Sequence, residues 1–296
     1  RDSLETGTLE HQLVGGIEIS HETSKNHPRI ISNTTSTDLY NPGNWNGVTP
    51  GSISYFGVGG GATTVSIDTL SAYVFDTLKI HPQWEINGGL RFDHLDTQYE
   101  SAVGPSAASL LAGNRSYETF KSGQDLLSYR AALIYKPLDN GTIYLGYGTS
   151  FNASGENLAF IPHPVRFNFG TTVRNSTLSL LAADAEENTT TELGTKWELF
   201  DKKLLLTGAL FQTIKTNART TDPVTPDIVS LDGEQRVHGV ELGLTGEIND
   251  HWRLTGGYTY LEGSVTDSAN PAERDRDLGN TPKHSFSLWS IHELPG

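Results

Sequence analysis

Hydrophobic and polar residues alternate with a period of two along nearly the whole chain. In residues 84–94, Trp84 and Leu90 fall on one parity, while Glu85 and Arg91 fall on the other. Successive side chains of a β-strand point to opposite faces of a sheet, so this pattern predicts a strand with one apolar and one polar face. The period of 3.6 that marks an amphipathic helix is almost absent. The chain is therefore predicted to be all-β.

The alternation predicts ten strands, and the connections between them alternate between short and long. The predicted strands are residues 4–22, 65–80, 84–99, 126–137, 142–152, 188–200, 203–216, 235–248, 251–265 and 284–294. The short connections are 81–83, 138–141, 201–202 and 249–250, where Asn-Gly and Asp-containing pairs suit tight hairpin turns. The long connections are 23–64, 100–125, 153–187, 217–234 and 266–283.

This regular alternation of loop lengths favours an antiparallel transmembrane β-barrel. Such barrels have short turns on the periplasmic side and long loops on the extracellular side. The predicted strands are also longer than the roughly 5–6 residues usual in soluble sheets, and a spanning strand needs about 9–11. In a barrel the apolar face meets lipid and the polar face meets water or a plug. The alternative is a soluble β-protein in which the same aromatic and aliphatic residues form an internal core.

Aromatic residues cluster at the two ends of the predicted strands. Beside the short connections lie Trp84, Tyr135, Trp197, Phe200 and Trp252, and beside the long ones lie Tyr99, Phe151 and Tyr260. Two such belts are typical of aromatic girdles at the two membrane interfaces, where one edge of the ring is apolar and the other is hydrated.

Composition excludes several classes of function. With 21 Lys and Arg against 35 Asp and Glu, the formal charge is −14, which argues against binding nucleic acid. The absence of Cys excludes disulfides, thiolate metal sites and a Cys nucleophile. The absence of Met, including at position 1, leads us to expect that the sequence is an interior piece of a longer protein.

Several segments resemble TonB-dependent outer-membrane receptors for ferric siderophores of the catecholate and hydroxamate type. The segments are Glu5-Thr6-Gly7 with His11-Gln12-Leu13-Val14-Gly15-Gly16-Ile17-Glu18, Leu70-Ser71-Ala72-Tyr73-Val74-Phe75-Asp76 with Gly88-Gly89-Leu90-Arg91-Phe92-Asp93, Thr216-Asn217-Ala218-Arg219, Val237-His238-Gly239-Val240-Glu241-Leu242, and Asn280-Thr281-Pro282-Lys283-His284-Ser285. Each segment alone is weak, but their order and spacing across the chain are specific.

The resemblance implies that residues 1–296 are part of a 22-stranded barrel domain. It also implies that the N-terminal plug domain, with the segment that binds TonB, and the last strands lie outside this sequence. An isolated piece of about ten strands is expected to be an open curved sheet or a partial barrel. By resemblance, the function is energy-coupled uptake of a ferric siderophore across the bacterial outer membrane, with TonB, membrane lipid and lipopolysaccharide as further partners.

Residues that bind an often anionic ferric chelate are expected on the long loops. Aromatic walls with cationic or hydrogen-bonding groups suit such a ligand. The candidates are Trp45, Tyr55, Arg115, Tyr117, Lys121, His163 and Arg166, of which Arg115 and Arg166 are the first choices. Because the iron arrives inside the siderophore, no cofactor, catalytic residue or protein metal ligand is expected.

Polar-face charges form a second group of candidates. We expect some of them to hydrogen-bond the plug, or else simply to be hydrated. They are Glu85, Arg91, Asp93, Arg130, Glu192, Lys196, Glu198 and Arg253.

Two other classes of function stay open from the residues. One is a TonB-dependent transporter for haem, cobalamin or glycans, although His163 alone is little support for haem. The other is a hydrolase on a membrane barrel or a soluble β-scaffold. No Ser-His pair or positioned pair of carboxylates marks such an enzyme. The acidic run at 273–277 and the glycines at 57–61 match neither a calcium loop nor a nucleotide loop.

Overall fold

The structure, a computed structural model, describes residues 2–6, 9–26, 29–31, 53–55, 63–103, 116–153, 184–221, 229–249 and 251–293. Within these ranges the chain forms thirteen β-strands and one short 3₁₀ turn, Pro271–Glu273. No helix in the described ranges is long and apolar enough to cross a membrane. The predicted all-β class is confirmed.

Eleven of the described strands form one antiparallel sheet, and two strands of three residues each form a separate two-stranded sheet. The strands are β1 Asp2–Thr6, β2 Leu9–Asn26, β3 Arg29–Ile31, β4 Ile53–Tyr55, β5 Thr63–His81, β6 Trp84–Val103, β7 Ser116–Leu138, β8 Gly141–Asn152, β9 Glu186–Leu199, β10 Leu204–Thr221, β11 Val229–Asn249, β12 Trp252–Asp267 and β13 His284–His292. In the large sheet each strand pairs with the next along the chain, and β3 and β4 pair with each other.

The large sheet is open. Its order runs from β1 to β13, and these two strands are its edges. All ten predicted strands are present, which confirms the prediction of an open antiparallel sheet. The first predicted strand is divided into β1 and β2 around residues 7–8, so the large sheet has eleven strands rather than ten.

The strands extend further toward the long connections than predicted. β7 begins at Ser116 instead of 126, and β10 and β11 reach Thr221 and Val229. The predicted loops 100–125 and 217–234 therefore include residues that belong to strands. The reason is that the alternation weakens there, since the outward face loses its apolar residues while the backbone ladder continues.

The short connections all lie at one end of the sheet, which we call the turn end; the opposite end is the loop end. Between β9 and β10, Phe200, Asp201 and Lys202 have φ angles of 53°, 52° and 68°. Three successive left-handed residues reverse the chain tightly, as the sequence predicted for 201–202. Because left-handed backbone is costly for residues other than Gly, Asn and Asp, this turn is strained at Phe200 and Lys202.

The register separates the two faces of the sheet cleanly. Cross-strand partners lie on the same face, and one row joins Ile86, Leu133, Leu145, Leu193 and Leu210 across five strands. Members of this row are between about two fifths and just over half exposed, because no second layer covers them. We call this the apolar face, and the opposite one the polar face.

Candidate functional site on the polar face

Arg91 is the centre of a polar network that joins three strands. Its Nε donates to Asp93 Oδ1 at 2.9 Å, and its Nη2 donates to Ser71 Oγ at 2.9 Å and to Glu18 Oε2 at 3.0 Å. Ser71 Oγ donates in turn to Asp93 Oδ1 at 2.5 Å, and Ser71 is 1% exposed. The network thus links β2, β5 and β6 through charge-assisted hydrogen bonds, which are stronger than neutral ones.

Two aromatic rings support the guanidinium groups of this region. Arg91 lies 5.9 Å from the centroid of Tyr73, and Arg130 lies 4.2 Å from the centroid of Phe75. A cation within about 6 Å of a ring centroid is attracted by the ring quadrupole. The polar face therefore holds both guanidinium groups against rings, and that of Arg91 also bonds the carboxylates of Asp93 and Glu18.

Glycine makes room for these rings. A Cβ added to Gly89 would lie 1.9 Å from Phe75 Cδ1, and one added to Gly16 would lie 2.5 Å from the Tyr73 hydroxyl. The sheet carries the rings flat along its surface only because glycine occupies the facing position on the neighbouring strand.

Substituting Gly89 with alanine should force Phe75 out of its place beneath Arg130 and destabilise the barrel by about 1–3 kcal/mol, the usual cost of overpacking. The adjacent Gly88 is the matched control, because a Cβ there meets nothing within 4 Å. Urea unfolding of Gly89→Ala and Gly88→Ala in lipid vesicles measures both changes. Equal stability of the two variants would show that Phe75 shifts without cost.

Ion pairs hold the turn end of the polar face. Lys136 Nζ donates to Glu85 Oε1 at 2.5 Å, and the Glu85 side chain is only 11% exposed. Lys79 Nζ donates to Glu10 Oε1 at 2.8 Å. Both contacts pair charges on strands that are adjacent in the sheet, so they fix the register at the end where the chain reverses.

A hydrogen-bonded cluster around a single carboxylate, Glu186, lies at the loop end of the polar face. Glu186 accepts from Asn152 Nδ2 at 2.8 Å, from Lys215 Nζ at 3.2 Å and from the Arg219 backbone N–H at 3.3 Å. Glu186 lies thirteen residues from the end of β9, beyond the roughly 9–11 that span a bilayer. Burial raises its pKa, but the bonds from Asn152 and Lys215 outweigh burial and leave the pKa below its ordinary value.

Beside this cluster the same face becomes apolar. Val65, Ile67 and Leu95 are at most 8% exposed and Tyr99 is 2% exposed, and Ala153 belongs to the same cluster. Phe120 and Leu126 pack against it. This patch was not predicted, because the whole face was expected to be polar. The apolar residues Val65 and Ile67, on either side of Ser66, were the signal in the sequence that indicated it. The loop end thus combines an apolar wall with a charged group, as pockets for aromatic ligands do.

The structure places three of the seven predicted ligand-binding residues. Tyr117 and Lys121 lie in β7 and not in a loop, opposite Ala102 and Gln98 of β6. Both are exposed and share the parity of Leu133, so they project from the apolar face. Tyr55 lies in β4, opposite Arg29. Trp45, Arg115, His163 and Arg166 lie outside the described residues. Ligand binding by any of the seven stays a prediction.

The predicted polar-face charges do share one face, and most have partners in the wall itself. Besides the pairs above, Glu192 accepts from the Tyr144 hydroxyl and Arg253 contacts Glu293. Such partners reduce the number of charges available to a plug. In the part of the chain described, no group of three or more His, Asp or Glu side chains is arranged to hold a metal ion.

Comparison with known proteins supplies the family. Residues 2–294 match the family model described as TonB dependent receptor-like, beta-barrel. The catecholate siderophore receptor Fiu of Escherichia coli K12 is 31% identical over 303 residues, covering 97% of this chain and 37% of that protein. The probable TonB-dependent siderophore receptor PiuA of Acinetobacter baumannii is 31% identical over 314 residues, covering 98% of this chain and 40% of that protein.

Comparison with solved structures also finds a receptor with a similar fold. The crystal structure of the ferric-catecholate import receptor Fiu from Escherichia coli K12, in its closed form, has a TM-score of 0.77 and 27% identity. It covers 99% of this chain, and the match takes in 41% of that structure. This chain therefore spans about two fifths of the length of the relatives it matches.

Proposed function

The chain belongs to the TonB-dependent receptor β-barrel family, and on that premise we propose that it serves energy-coupled uptake of a ferric siderophore, most closely of the catecholate class. It is a barrel segment of the bacterial outer membrane. The observation that carries the proposal is the similarity to the catecholate receptor Fiu over 97% of the chain. The relatives are receptors, so the chain is a receptor domain and not an enzyme.

In this proposal the siderophore binds at the loop end, where the long connections meet the polar face. Iron remains inside the chelate as cargo, so the barrel needs no resident cofactor. The apolar wall around Tyr99 suits the aromatic rings of such a chelate, and Lys215 is a cation at the same end of the sheet. TonB acts through a plug domain carried elsewhere in the receptor, and lipid with lipopolysaccharide surrounds the apolar face.

Arg115 and Arg166 are proposed to contact the bound chelate. Replacing both with alanine in the full receptor should weaken binding of a ferric catecholate about a hundredfold or more, since each charge-assisted hydrogen bond contributes about 1.5–3 kcal/mol. Quenching of tryptophan fluorescence on titration with the ferric chelate measures the dissociation constant. Lys25→Gln is the control cation, because Lys25 is exposed and shares the outward parity of Ile17 and Ile19 in β2, so its replacement should leave affinity within about twofold.

Two results would change the proposal. If the double variant bound the ferric catecholate with unchanged affinity, Arg115 and Arg166 would not be contacts of the chelate, and the proposed uptake function would still stand. Tight binding of haem, with no binding of ferric catecholates or hydroxamates, would instead support a receptor for another cargo.

A further inference from the structure

Lys215 places a cation on the polar face at the loop end. It lies in β10, opposite Asn188 of β9 and Gln235 of β11. Its Nζ donates to Glu186 Oε2 at 3.2 Å, and its side chain is 31% exposed. An ammonium group has three N–H donors, and Glu186 is the one acceptor that Lys215 bonds among the described residues. Lys215 therefore has donors left for a group inside the barrel.

Glu186 fixes the place of that ammonium group. Its carboxylate also accepts from Asn152 Nδ2 and from the backbone N–H of Arg219. The Glu186 side chain is only 7% exposed, so it has little freedom to move. Burial raises the pKa of Glu186, but the bonds from Asn152 and Lys215 leave that pKa below its ordinary value. The carboxylate is thus charged at neutral pH and attracts the ammonium group permanently.

Bulges shape the end of β10 around this cluster. The register with β11 shifts on both sides of Ala218. Next to it, Asn217 has a φ of 53°, and its Nδ2 donates to the Ala185 carbonyl at 3.0 Å. Bulges are common beside functional sites, where they change the direction of a side chain. The segment 216–219, one of those that resemble the receptor family, therefore builds the wall beside Lys215.

The apolar wall of the polar face begins next to this cluster. Asn152, which bonds Glu186, is followed directly by Ala153, which is 3% exposed. Ala153 belongs to the apolar cluster that contains Leu95, and Leu126 packs against that cluster. One stretch of the polar face thus has an apolar half and, beside it, a charged donor. This combination complements a ligand that carries negative oxygens on aromatic rings.

We propose that Lys215 contacts an anionic oxygen of the bound ferric chelate, and that Glu186 is the positioning residue that holds Lys215 at the edge of the apolar wall. This inference rests on the proposed function and adds two described residues to the site. In a catecholate the negative oxygens lie on the rim of the ring, so the ring meets the apolar half while the oxygens meet the ammonium group. A neutral chelate gains nothing from Lys215.

Binding of ferric tris-catecholate to the full receptor, followed by tryptophan fluorescence, tests the contact. Lys215→Gln should weaken binding about tenfold, as loss of one charge-assisted hydrogen bond does. Lys215→Arg keeps the charge and should keep affinity within about threefold. The matched control is Lys79→Gln, because Lys79 pairs with Glu10 at 2.8 Å on the same face but at the turn end. This control should change affinity by less than about twofold.

Glu186→Gln separates positioning from charge. Removing a negative charge near an anionic chelate raises affinity by itself, whereas loss of the support for Lys215 lowers it. We expect a fall of about threefold to fivefold, and no further fall when Glu186→Gln is added to Lys215→Gln. Resistance of each variant to SDS at room temperature confirms folding.

Three results would contradict the inference. Unchanged affinity in Lys215→Gln would overturn the contact, and unchanged or higher affinity in Glu186→Gln would overturn the positioning role. If the unmodified receptor bound no ferric tris-catecholate, the proposed function would fail together with the inference. Normal binding by the unmodified receptor keeps the proposed function, and the Lys215 variants then decide the inference alone.

Discussion

Replacing Leu133 with arginine should destabilise the folded barrel by about 2–4 kcal/mol, the cost of a charge at the mid-plane of the lipid-facing surface. Leu133 lies five residues from the end of β7, between Ile86 and Leu145 in the apolar row. An arginine there has no carboxylate partner within that row. Urea unfolding of the full receptor in lipid vesicles measures the change.

The neighbouring residue provides the control. Ile134 lies on the opposite face, where it faces Glu85 across the β6–β7 pair. An arginine at 134 can extend to water from the polar face beside the Glu85–Lys136 ion pair, so Ile134→Arg should change stability by less than about 1 kcal/mol. If the two substitutions cost the same, the assignment of the two faces to lipid and lumen would be wrong.

The strands and turns were predictable because their signals are local. Alternation along 84–94 defines β6 by itself, and the turn at 201–202 is marked by the residues between two such runs. In a spanning strand one face must be apolar, so the membrane enforces the pattern that the sequence displays. The family resemblance rests on the same strands.

The membrane enforces the alternation only where a strand crosses it, and for that reason the ends of the strands could not be predicted. Beyond the bilayer the outward face no longer needs apolar residues, so the alternation ends while the backbone ladder continues. Tyr117 and Lys121 were therefore assigned to a loop, although they lie within β7. The polar face changes in the opposite sense, because Val65 and Tyr99 make it apolar at the loop end.

Side-chain contacts between strands that are far apart in the sequence could not be predicted from the alternation. His11 and Asp76 lie on the apolar face, against the pattern, and their side chains pair at 2.7 Å across β2 and β5. Sixty-five residues separate them. Their partnership depends on register, which single-strand alternation does not supply, and pairing reduces the cost of two polar groups on that face.

Replacing Arg91 with leucine should destabilise the barrel by about 2 kcal/mol or more, because it leaves a mostly buried carboxylate without its cation. The Asp93 side chain is 16% exposed and would retain only Ser71 as a partner in this network. Glu18 would lose its contact as well, which weakens the link between β2 and β6.

A double substitution separates the lost pair from a general effect of leucine. Asp93→Asn removes the stranded charge, so stability in the Arg91→Leu background should recover by about 1–2 kcal/mol. The comparison pair is His21 and Asp68, whose side chains are 63% and 68% exposed. There Asp68→Asn should cost at most about 1 kcal/mol, as exposed ion pairs do. Strictly additive losses at Arg91 and Asp93 would mean that the network contributes no coupling, and that β2, β5 and β6 are held by their backbone ladders alone.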